Sequence, residues 1–201
     1  MSARTYLADI FMQQDITHKI LVGLERISEA YKALLWKKAK TFNISPIQIQ
    51  LLTFIDSHKL ELCNVSYLAK EFNVTKPTIS DAIKVLHRKE FLEKDFSSSD
   101  SRSYNLFLTK KGNDLLQNIG DYFSPIKNEI EKLTSNNTEQ LYITLSQLIY
   151  QLNKNGVLTV QRTCFGCTYY TTNSNTHHCN LIDENLLDTE IRIDCPEFEM
   201  K

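Results

Sequence analysis

Glycine and proline are scarce in this chain of 201 residues, with five and four copies respectively. An all-β protein would need turn residues about every 8–12 positions, so this scarcity argues against one. No stretch approaches the ~18 consecutive apolar residues of a membrane span. The N-terminus, MSARTYLADIF, lacks the basic, apolar and small-residue order of a secretory signal. We therefore expect a mainly α-helical, cytoplasmic protein that does not engage a membrane.

Charge and cysteine are unevenly distributed, although the net charge is only −1. Between Asn64 and Gly112 nine basic residues stand against six acidic ones, whereas from Val160 to the end three stand against seven. Cys63 is isolated, and the other four cysteines lie in the last 38 residues. A basic middle and an acidic, cysteine-rich tail indicate two different functions.

The first half of the sequence predicts a series of amphipathic helices. A first long helix covers about residues 15–40, and its four-three apolar spacing suits either a core face or a dimer seam. Ser45-Pro46 with Gln48 forms a capping box that starts a second helix, ending near Ser57. Two short helices capped by Asn64 and Thr75 then follow, separated by a tight turn. This pair predicts a helix-turn-helix over about residues 64–89.

After the helix-turn-helix the sequence predicts two short strands, Phe91 to Phe96 and Ser103 to Leu108, around a polar hairpin tip. A hairpin in this place is a wing, here about residues 91–108, so the motif is a winged helix. Thr109 starts another helix that ends or bends near Pro125. A last long helix runs to residues 155–156, with residues 136–137 as a candidate interruption.

The second helix of the pair has the layout of a recognition helix. Its apolar residues face inward, and its opposite face is polar and basic, as reading a major groove requires. The same pattern is also typical of an ordinary solvated face, on which Asp81 pairs with Lys84 or Arg88. The candidate DNA-binding residues are Thr75, Lys76, Pro77, Thr78, Ser80, Asp81, Lys84 and Arg88, with Arg102 at the wing tip for the minor groove.

From Ile44 through Leu133 the sequence resembles the MarR family of bacterial transcriptional regulators, and the helix pattern is similar from about residue 15 to 155. The resemblance lies in Leu68-Ala69, in the turn VTKPTIS of residues 74–80, and in residues 86–92. The wing tip SDSR of residues 99–102 and the exit LTKKG of residues 108–112 also match. These motifs are specific in combination and weak singly.

The resemblance implies a homodimer joined by its first and last long helices, which binds a pseudo-palindromic operator in double-stranded DNA. Many relatives release DNA when a small aromatic ligand or an oxidant acts near the junction of dimer and DNA-binding domain. This chain departs from the pattern in its serine-rich wing tip with a single arginine. It also carries an extension, which divides it into a winged-helix unit with dimerisation helices (1–157) and a small cysteine-rich unit (158–201).

The extension predicts a metal site. Cys164 and Cys167 are separated by two residues and can share one metal from a single turn, while Cys179 and Cys195 supply the other half of a tetrahedral site. A disulfide framework is uncommon in cytosolic proteins. The four cysteines are therefore the candidate ligands, although four scattered buried thiols are the plainer alternative.

The identity of the metal stays open between two choices. Zinc is the default for four cysteines in a small module, and an iron–sulfur cluster uses the same four thiolates. The pattern resembles short Cys-x-x-Cys-aromatic … Cys … Cys-Pro-x-Phe modules, which occur with either metal. His177 or His178 could replace one cysteine. Cys63 is interpreted as a small buried residue.

Three classes of function follow from these observations. The first is a sequence-specific, MarR-type transcriptional regulator, modulated by a small ligand or by the metal or redox state of the tail. The alternative is a protein-interaction module that binds DNA weakly and docks a partner on its acidic, metal-bound tail. An enzyme is not expected, because the sequence contains no catalytic triad, phosphate loop or paired carboxylates beside a metal ligand.

Overall fold

In the computed structural model the described residues, 15–96, 104–173 and 176–201, form a mainly helical protein with two small antiparallel sheets. Its helices are α1 (Ile16–Thr41), α2 (Pro46–Ser57), α3 (Val65–Glu71), α4 (Lys76–Arg88), α5 (Lys110–Ile119), α6 (Ser124–Ile130) and α7 (Ser135–Lys154). Its strands are β1 (Leu92–Asp95), β2 (Asn105–Leu108), β3 (Tyr170–Asn173), β4 (Thr176–Cys179) and β5 (Glu184–Leu186).

The helix starts lie where the capping residues predict them. The side chain of Asn64 accepts a hydrogen bond from the backbone N–H of Tyr67 at 2.9 Å, and Thr75 and Thr109 cap α4 and α5 in the same way. At the start of α2, the Gln48 side chain accepts from the backbone N–H of Ser45 at 2.9 Å. These bonds satisfy N–H groups that have no partner inside their helix.

The wing strands pair antiparallel, from Leu92 opposite Leu108 to Asp95 opposite Asn105. The prediction of two strands is confirmed, although both are shorter than expected. The tip, residues 97–103, lies outside the described residues. In the cysteine-rich tail, residues 171–173 lie in β3 and Thr176 begins β4, and the strands β3, β4 and β5 form a three-stranded antiparallel sheet in that order. Threonine is β-branched and suits a strand as well as a turn.

The last helices are divided differently from the prediction. Helix α5 ends at Ile119, followed by Gly120 with φ +58°. Pro125 does not end a helix but lies in the first turn of α6, where its missing N–H costs nothing. The break before α7 falls at residues 131–134, ahead of the predicted interruption, because Thr134 caps α7 by accepting from the backbone N–H of Asn137.

Two hydrophobic clusters organise the described residues. The larger contains side chains from α1 to α5, β1 and β2, which surround the helix-turn-helix. The smaller consists of Cys164, Cys167, Tyr170 and Ile191, with aromatic and aliphatic neighbours around them. Helices α2–α5 with β1 and β2 are called the winged helix below, and residues 158–201 the cysteine-rich module.

Among the helices of the described residues, none combines the length and the apolar character that crossing a membrane would take.

Candidate nucleic-acid interface and cysteine-rich module

Helices α3 and α4 form the helix-turn-helix that the sequence predicts. The turn between them passes through Asn73 at φ +51°, a left-handed conformation that asparagine tolerates. The inner face of α4 is fully buried at Ile79, Ile83 and Leu86. This packing fixes the helix by its apolar back and leaves the opposite face in solvent.

The outward face of α4 carries the predicted DNA-binding side chains. Ser80 is half-buried, and the others are exposed: Thr75, Lys76, Pro77, Thr78, Asp81, Lys84 and Arg88. Whether these residues contact DNA stays a prediction, but the fold brings them together on one accessible surface. Arg102 lies outside the described residues.

Asp81 and Lys84 form an ion pair of 2.9 Å on this surface, as the alternative of a solvated face anticipates. The hydrogen bond to Asp81 raises the pKa of Lys84 above its ordinary value. Both side chains are about three-quarters exposed, at 74% and 72%. Exposed pairs of this kind are weak, so Lys84 can exchange Asp81 for a phosphate.

The wing is anchored to the end of α4. The Thr109 hydroxyl donates to the carbonyl of Glu90 at 2.6 Å, and Lys111 pairs with the Glu90 carboxylate at 2.9 Å. Lys94 in β1 lies 4.4 Å above the ring of Tyr104. Lys94 is not among the candidate DNA-binding residues, because a lysine between Glu93 and Asp95 gives no sequence signal for DNA binding.

Helices α1 and α7 present apolar side chains to solvent. The four-three stripe on α1 is exposed at Ile20, Leu24, Ile27 and Tyr31, and α7 exposes Leu141 and Leu148. The rest of the described residues does not cover these side chains. An apolar surface of this extent is typical of an interaction face.

The four cysteines of the tail come together in the cysteine-rich module. Cys164 and Cys167 are buried in a short 3₁₀ turn, Cys179 ends β4, and Cys195 follows in the last segment, all as free thiols. Cys164, Cys179 and Cys195 line one cavity. The backbone N–H of Arg192 donates to the Cys164 sulfur at 3.3 Å.

Burial raises the pKa of the Cys164 thiol; the backbone N–H of Arg192 opposes the shift, and the nearby Cys195, Cys167 and Cys179 add to it. Within the described ranges, however, no group of three or more His, Cys, Asp or Glu side chains has an arrangement that could hold a metal ion. The metal site therefore stays a prediction.

The two candidate histidines of the module have other partners. His177 bonds the Tyr170 hydroxyl and, at 2.9 Å, the Asp188 carboxylate. His178 lies 3.1 Å from the Asn185 side-chain oxygen. These contacts occupy His177 on both ring nitrogens, which disfavours it as a replacement ligand.

Cys63 lies in the larger core and is 1% exposed. Its thiol donates weakly to the Lys59 carbonyl, 3.4 Å away. Burial, with a smaller effect of Glu61, raises its pKa from 9.0 to about 11. This is the environment of a small apolar residue, which the sequence interpretation anticipated.

Arg162 is the residue that sequence reasoning missed altogether. It belongs to the module, is 8% exposed, and forms a two-bond ion pair with Glu71 at the end of α3, at 2.7 and 3.1 Å. It also donates to the Tyr67 hydroxyl at 2.8 Å and to the Asp194 carboxylate. A single arginine between Gln161 and Thr163 gives no sequence signal for such a contact, because its partners are up to 95 positions away.

Comparison with known proteins identifies the winged helix. Residues 42–103 match the model of the MarR family. The HTH-type transcriptional regulator BilQ from Clostridioides difficile (strain CD3) is 33% identical over 70 residues, which are 35% of this chain and 47% of BilQ. The alignment thus spans about half the length of this curated relative.

Solved structures share the fold over about two thirds of the chain. The S. aureus MepR–DNA complex matches with a TM-score of 0.57 and 24% identity, covering 64% of this chain and 95% of MepR. A MarR/EmrR family transcriptional regulator from Acinetobacter sp. ADP1 matches with a TM-score of 0.58 and 20% identity, covering 70% and 99%. The MarR family comprises transcriptional regulators and not enzymes, as the sequence led us to expect. Residues 42–103 thus match the MarR family model, and the described residues share the fold of these solved structures.

Proposed function

We propose that this chain is a cytoplasmic, sequence-specific transcriptional regulator of the MarR type that binds double-stranded DNA through α4 and the wing. The observation that carries the proposal is the two-sided character of α4, whose apolar face is buried and whose outer face presents polar and basic side chains. A helix held in this way is suited to the major groove, where base edges are distinguishable.

We expect the protein to bind as a homodimer on a pseudo-palindromic operator. The exposed stripe of α1 and the exposed leucines of α7 supply an apolar surface that a second copy would cover. Dimeric readers place their two recognition helices about one turn of DNA apart, so the half-sites should repeat at ~10 base pairs. A small aromatic ligand between the dimerisation helices and the winged helix is part of the same proposal.

The test is selection of binding sequences from random double-stranded DNA, followed by affinity measurements at several salt concentrations. A regulator yields a palindromic consensus that it binds ~10³-fold or more above random DNA. Enrichment of no sequence, with only weak salt-dependent binding, would overturn the proposal. Light scattering of the complex gives the stoichiometry, expected as two protomers per site.

For the cysteine-rich module we propose a single zinc ion held by Cys164, Cys167, Cys179 and Cys195, with an iron–sulfur cluster as the alternative. The chemistry of the donor set fits: all four cysteines are free thiols, Cys164 and Cys167 lie in the smaller core, and Cys164, Cys179 and Cys195 line one cavity. A bound cation would lower the thiol pKa values and replace the aliphatic packing that the module lacks. The bound metal would either stabilise the fold of the module or make the module a sensor of metal or redox state.

The metal proposal is tested by elemental analysis and a visible spectrum of protein purified without oxygen. About one zinc per chain and no colour support zinc. A broad band near ~400 nm with iron and acid-labile sulfide supports the cluster. Protein free of both, with four reactive thiols, would overturn both readings of the module.

A docking function for the module is the competing proposal, favoured by its acidic sequence and by exposed Leu181, Ile182 and Leu187. Replacing these three by serine separates the proposals, because none lies on the winged helix. Unchanged operator affinity is expected if α4 and the wing carry the function. A protein without operator specificity that captures a partner only through this patch would favour docking.

A further inference from the structure

Arg162 joins the cysteine-rich module to the helix-turn-helix through a buried polar contact. Its guanidinium binds both carboxylate oxygens of Glu71, the last residue of α3, and donates to the hydroxyl of Tyr67 one turn earlier. The side chains of Arg162 and Glu71 are 9% and 19% exposed. Two parallel N–H···O bonds fix orientation as well as distance, which a lysine or a single bond would not.

The same arginine is held on the module side. Its Nε donates to Asp194, whose other carboxylate oxygen lies 3.1 Å from Nε2 of His58. The guanidinium lies 5.4 Å from the centre of the Phe54 ring in α2, on which His58 stacks. Burial alone would lower the pKa of Arg162, but the hydrogen bonds to Glu71 and Asp194 raise it, so the residue stays charged.

The hub formed by Arg162, Glu71, Tyr67, Asp194 and His58 lies directly beside the cysteines. Cys164 follows Arg162 by two residues, and Cys195 is next to Asp194. Backbone hydrogen bonds join these two segments: the N–H of Cys195 donates to the Arg162 carbonyl at 3.0 Å, and that of Cys164 to the Arg192 carbonyl at 3.1 Å. The segments that carry Cys164 and Cys195 are thus connected directly to those that carry Arg162 and Asp194.

The hub is connected to α4 through Glu71 and a short turn. Glu71 ends α3, and only the turn residues 72–75 separate it from Lys76, the first residue of α4. The turn is tightly built, with the N–H of Val74 donating to the Ala69 carbonyl at 3.0 Å. The end of α3 at Glu71 is thus connected through a short, hydrogen-bonded turn to the start of α4, where the candidate DNA-binding residues Thr75 and Lys76 lie.

We propose that Arg162 is a positioning residue that couples the cysteine-rich module to the helix-turn-helix, so that operator affinity depends on whether the four cysteines hold Zn²⁺. This inference rests on the proposed function and gives it a route of regulation. The coupling is carried by packed polar groups with named partners, and it needs no contact between the module and DNA.

The experiment uses the full-length wild type and the Arg162→Ala, Glu71→Gln and Lys59→Ala variants. Each is studied with Zn²⁺ bound and after its removal by EDTA. Lys59→Ala is the matched control, because Lys59 also joins the two regions, through Glu197 at 2.6 Å, but its side chain is 50% exposed. The two readouts are affinity for the selected operator and amide hydrogen exchange of α3 and α4.

In the wild type and in Lys59→Ala, we expect removal of Zn²⁺ to weaken operator binding about tenfold and to speed amide exchange in α3, as a coupling of ordinary size would. In Arg162→Ala and Glu71→Gln, binding should be weakened already and change less than about twofold on removal of Zn²⁺. An Arg162→Ala protein that responds to Zn²⁺ as fully as the wild type would overturn the proposal. So would unchanged α3 exchange in the wild type.

Further measurements distinguish a failure of this coupling from a failure of the DNA-binding or the zinc proposal. If no sequence-specific DNA binding exists, the transcriptional proposal fails, while amide exchange still decides the coupling. If the protein binds no Zn²⁺, Cys164→Ser supplies the perturbation in both the wild-type and the Arg162→Ala backgrounds. Should Arg162→Ala unfold, Arg162→Lys keeps the charge but not the two-bond pair, and it must show the same loss of coupling.

Discussion

The winged helix and the cysteine-rich module are stabilised by different means. Among the described residues the larger core buries nineteen side chains, of which one is a cysteine, whereas the core of the module buries four, of which two are cysteines. Aliphatic burial in the first is enough for a domain to fold. The second buries so little apolar surface that it depends on its neighbours and on α7.

The module gains part of its support from contacts with helix α7. The module packs its Phe165 ring against Tyr150 of α7 at 5.4 Å between ring centres, and the Tyr142 hydroxyl donates to the Ile191 carbonyl. Helix α7 therefore contacts the module, while its Leu141 and Leu148 stay exposed.

The largest effect we expect comes from a cavity in the larger core. Leu86 is fully buried in α4, so Leu86→Ala should lower the free energy of unfolding by about 2–5 kcal/mol. The matched change in the module, Ile191→Ala, should loosen only the module, since Ile191 belongs to the smaller core. Urea unfolding at fixed protein concentration, followed by circular dichroism, measures both variants.

The control for these truncations is Leu187→Ala, at a side chain that is 68% exposed. It should shift the unfolding free energy by no more than about 0.5 kcal/mol. If Ile191→Ala unfolds the winged helix as completely as Leu86→Ala does, the two cores form one cooperative unit and the comparison between them fails.

The second largest effect that we expect is on the reactivity of the Cys63 thiol. Because burial raises the pKa of Cys63 from 9.0 to about 11, its thiolate fraction at pH 8 falls about a hundredfold. Iodoacetamide should therefore label native Cys63 at least that much more slowly than the same residue in the guanidinium-unfolded chain. Peptide mass spectrometry after timed quenching gives both rates.

The same shift fixes the sign of a pH dependence. The unfolded thiol releases its proton near pH 9 and the folded one near pH 11, so the stability contributed by a neutral Cys63 is lost as the pH rises through this window. Rapid labelling of native Cys63 at pH 8 would show that the larger core opens there, contrary to the burial of this side chain at 1% exposure.

The third effect concerns the outward face of α4. Lys84→Ala and Arg88→Ala should each weaken operator binding about five- to a hundredfold if the side chain contacts a base. A contact to phosphate would instead give a smaller loss for all sequences and reduce the salt slope by about one. Fluorescence anisotropy at four salt concentrations distinguishes the two.

Lys132→Ala is the control for charge, because Lys132 pairs with Glu129 at the end of α6, outside the winged helix. Equal losses for Lys132 and for the α4 residues would mean that only net charge matters, and α4 would lose its assignment as the recognition helix.

Much of the winged helix could be predicted from sequence because its determinants are local. The caps at Asn64, Thr75 and Thr109 and the period of apolar residues act within one or two turns of helix. The division of α6 from α7 was misplaced because Pro125 was treated as a helix end, whereas proline is equally at home in a first turn.

The module was predicted less well because its determinants are not local. Cysteine spacing indicated that the four thiols belong together, but the strands β3 and β4 were missed in a stretch of threonine and asparagine. The hub at Arg162 joins positions 71, 162 and 194, which no periodicity relates. Such contacts join segments that are far apart in the sequence.

The smallest effect should come from the second ion pair between the two regions. Lys59 and Glu197 lie 2.6 Å apart, with side chains 50% and 53% exposed, and their hydrogen bond raises the pKa of Lys59. Water screens the pair and holds either charge nearly as well once its partner is gone, so Lys59→Ala should leave the urea midpoint unchanged. Arg162→Ala removes the same formal charge from the same boundary. It leaves the carboxylate of Glu71, whose side chain is only 19% exposed, without its ion-pair partner, so it should clearly lower the urea midpoint. Equal effects of the two variants in parallel urea titrations would mean that the boundary responds to charge alone, and burial would then no longer distinguish the hub from the surface around it.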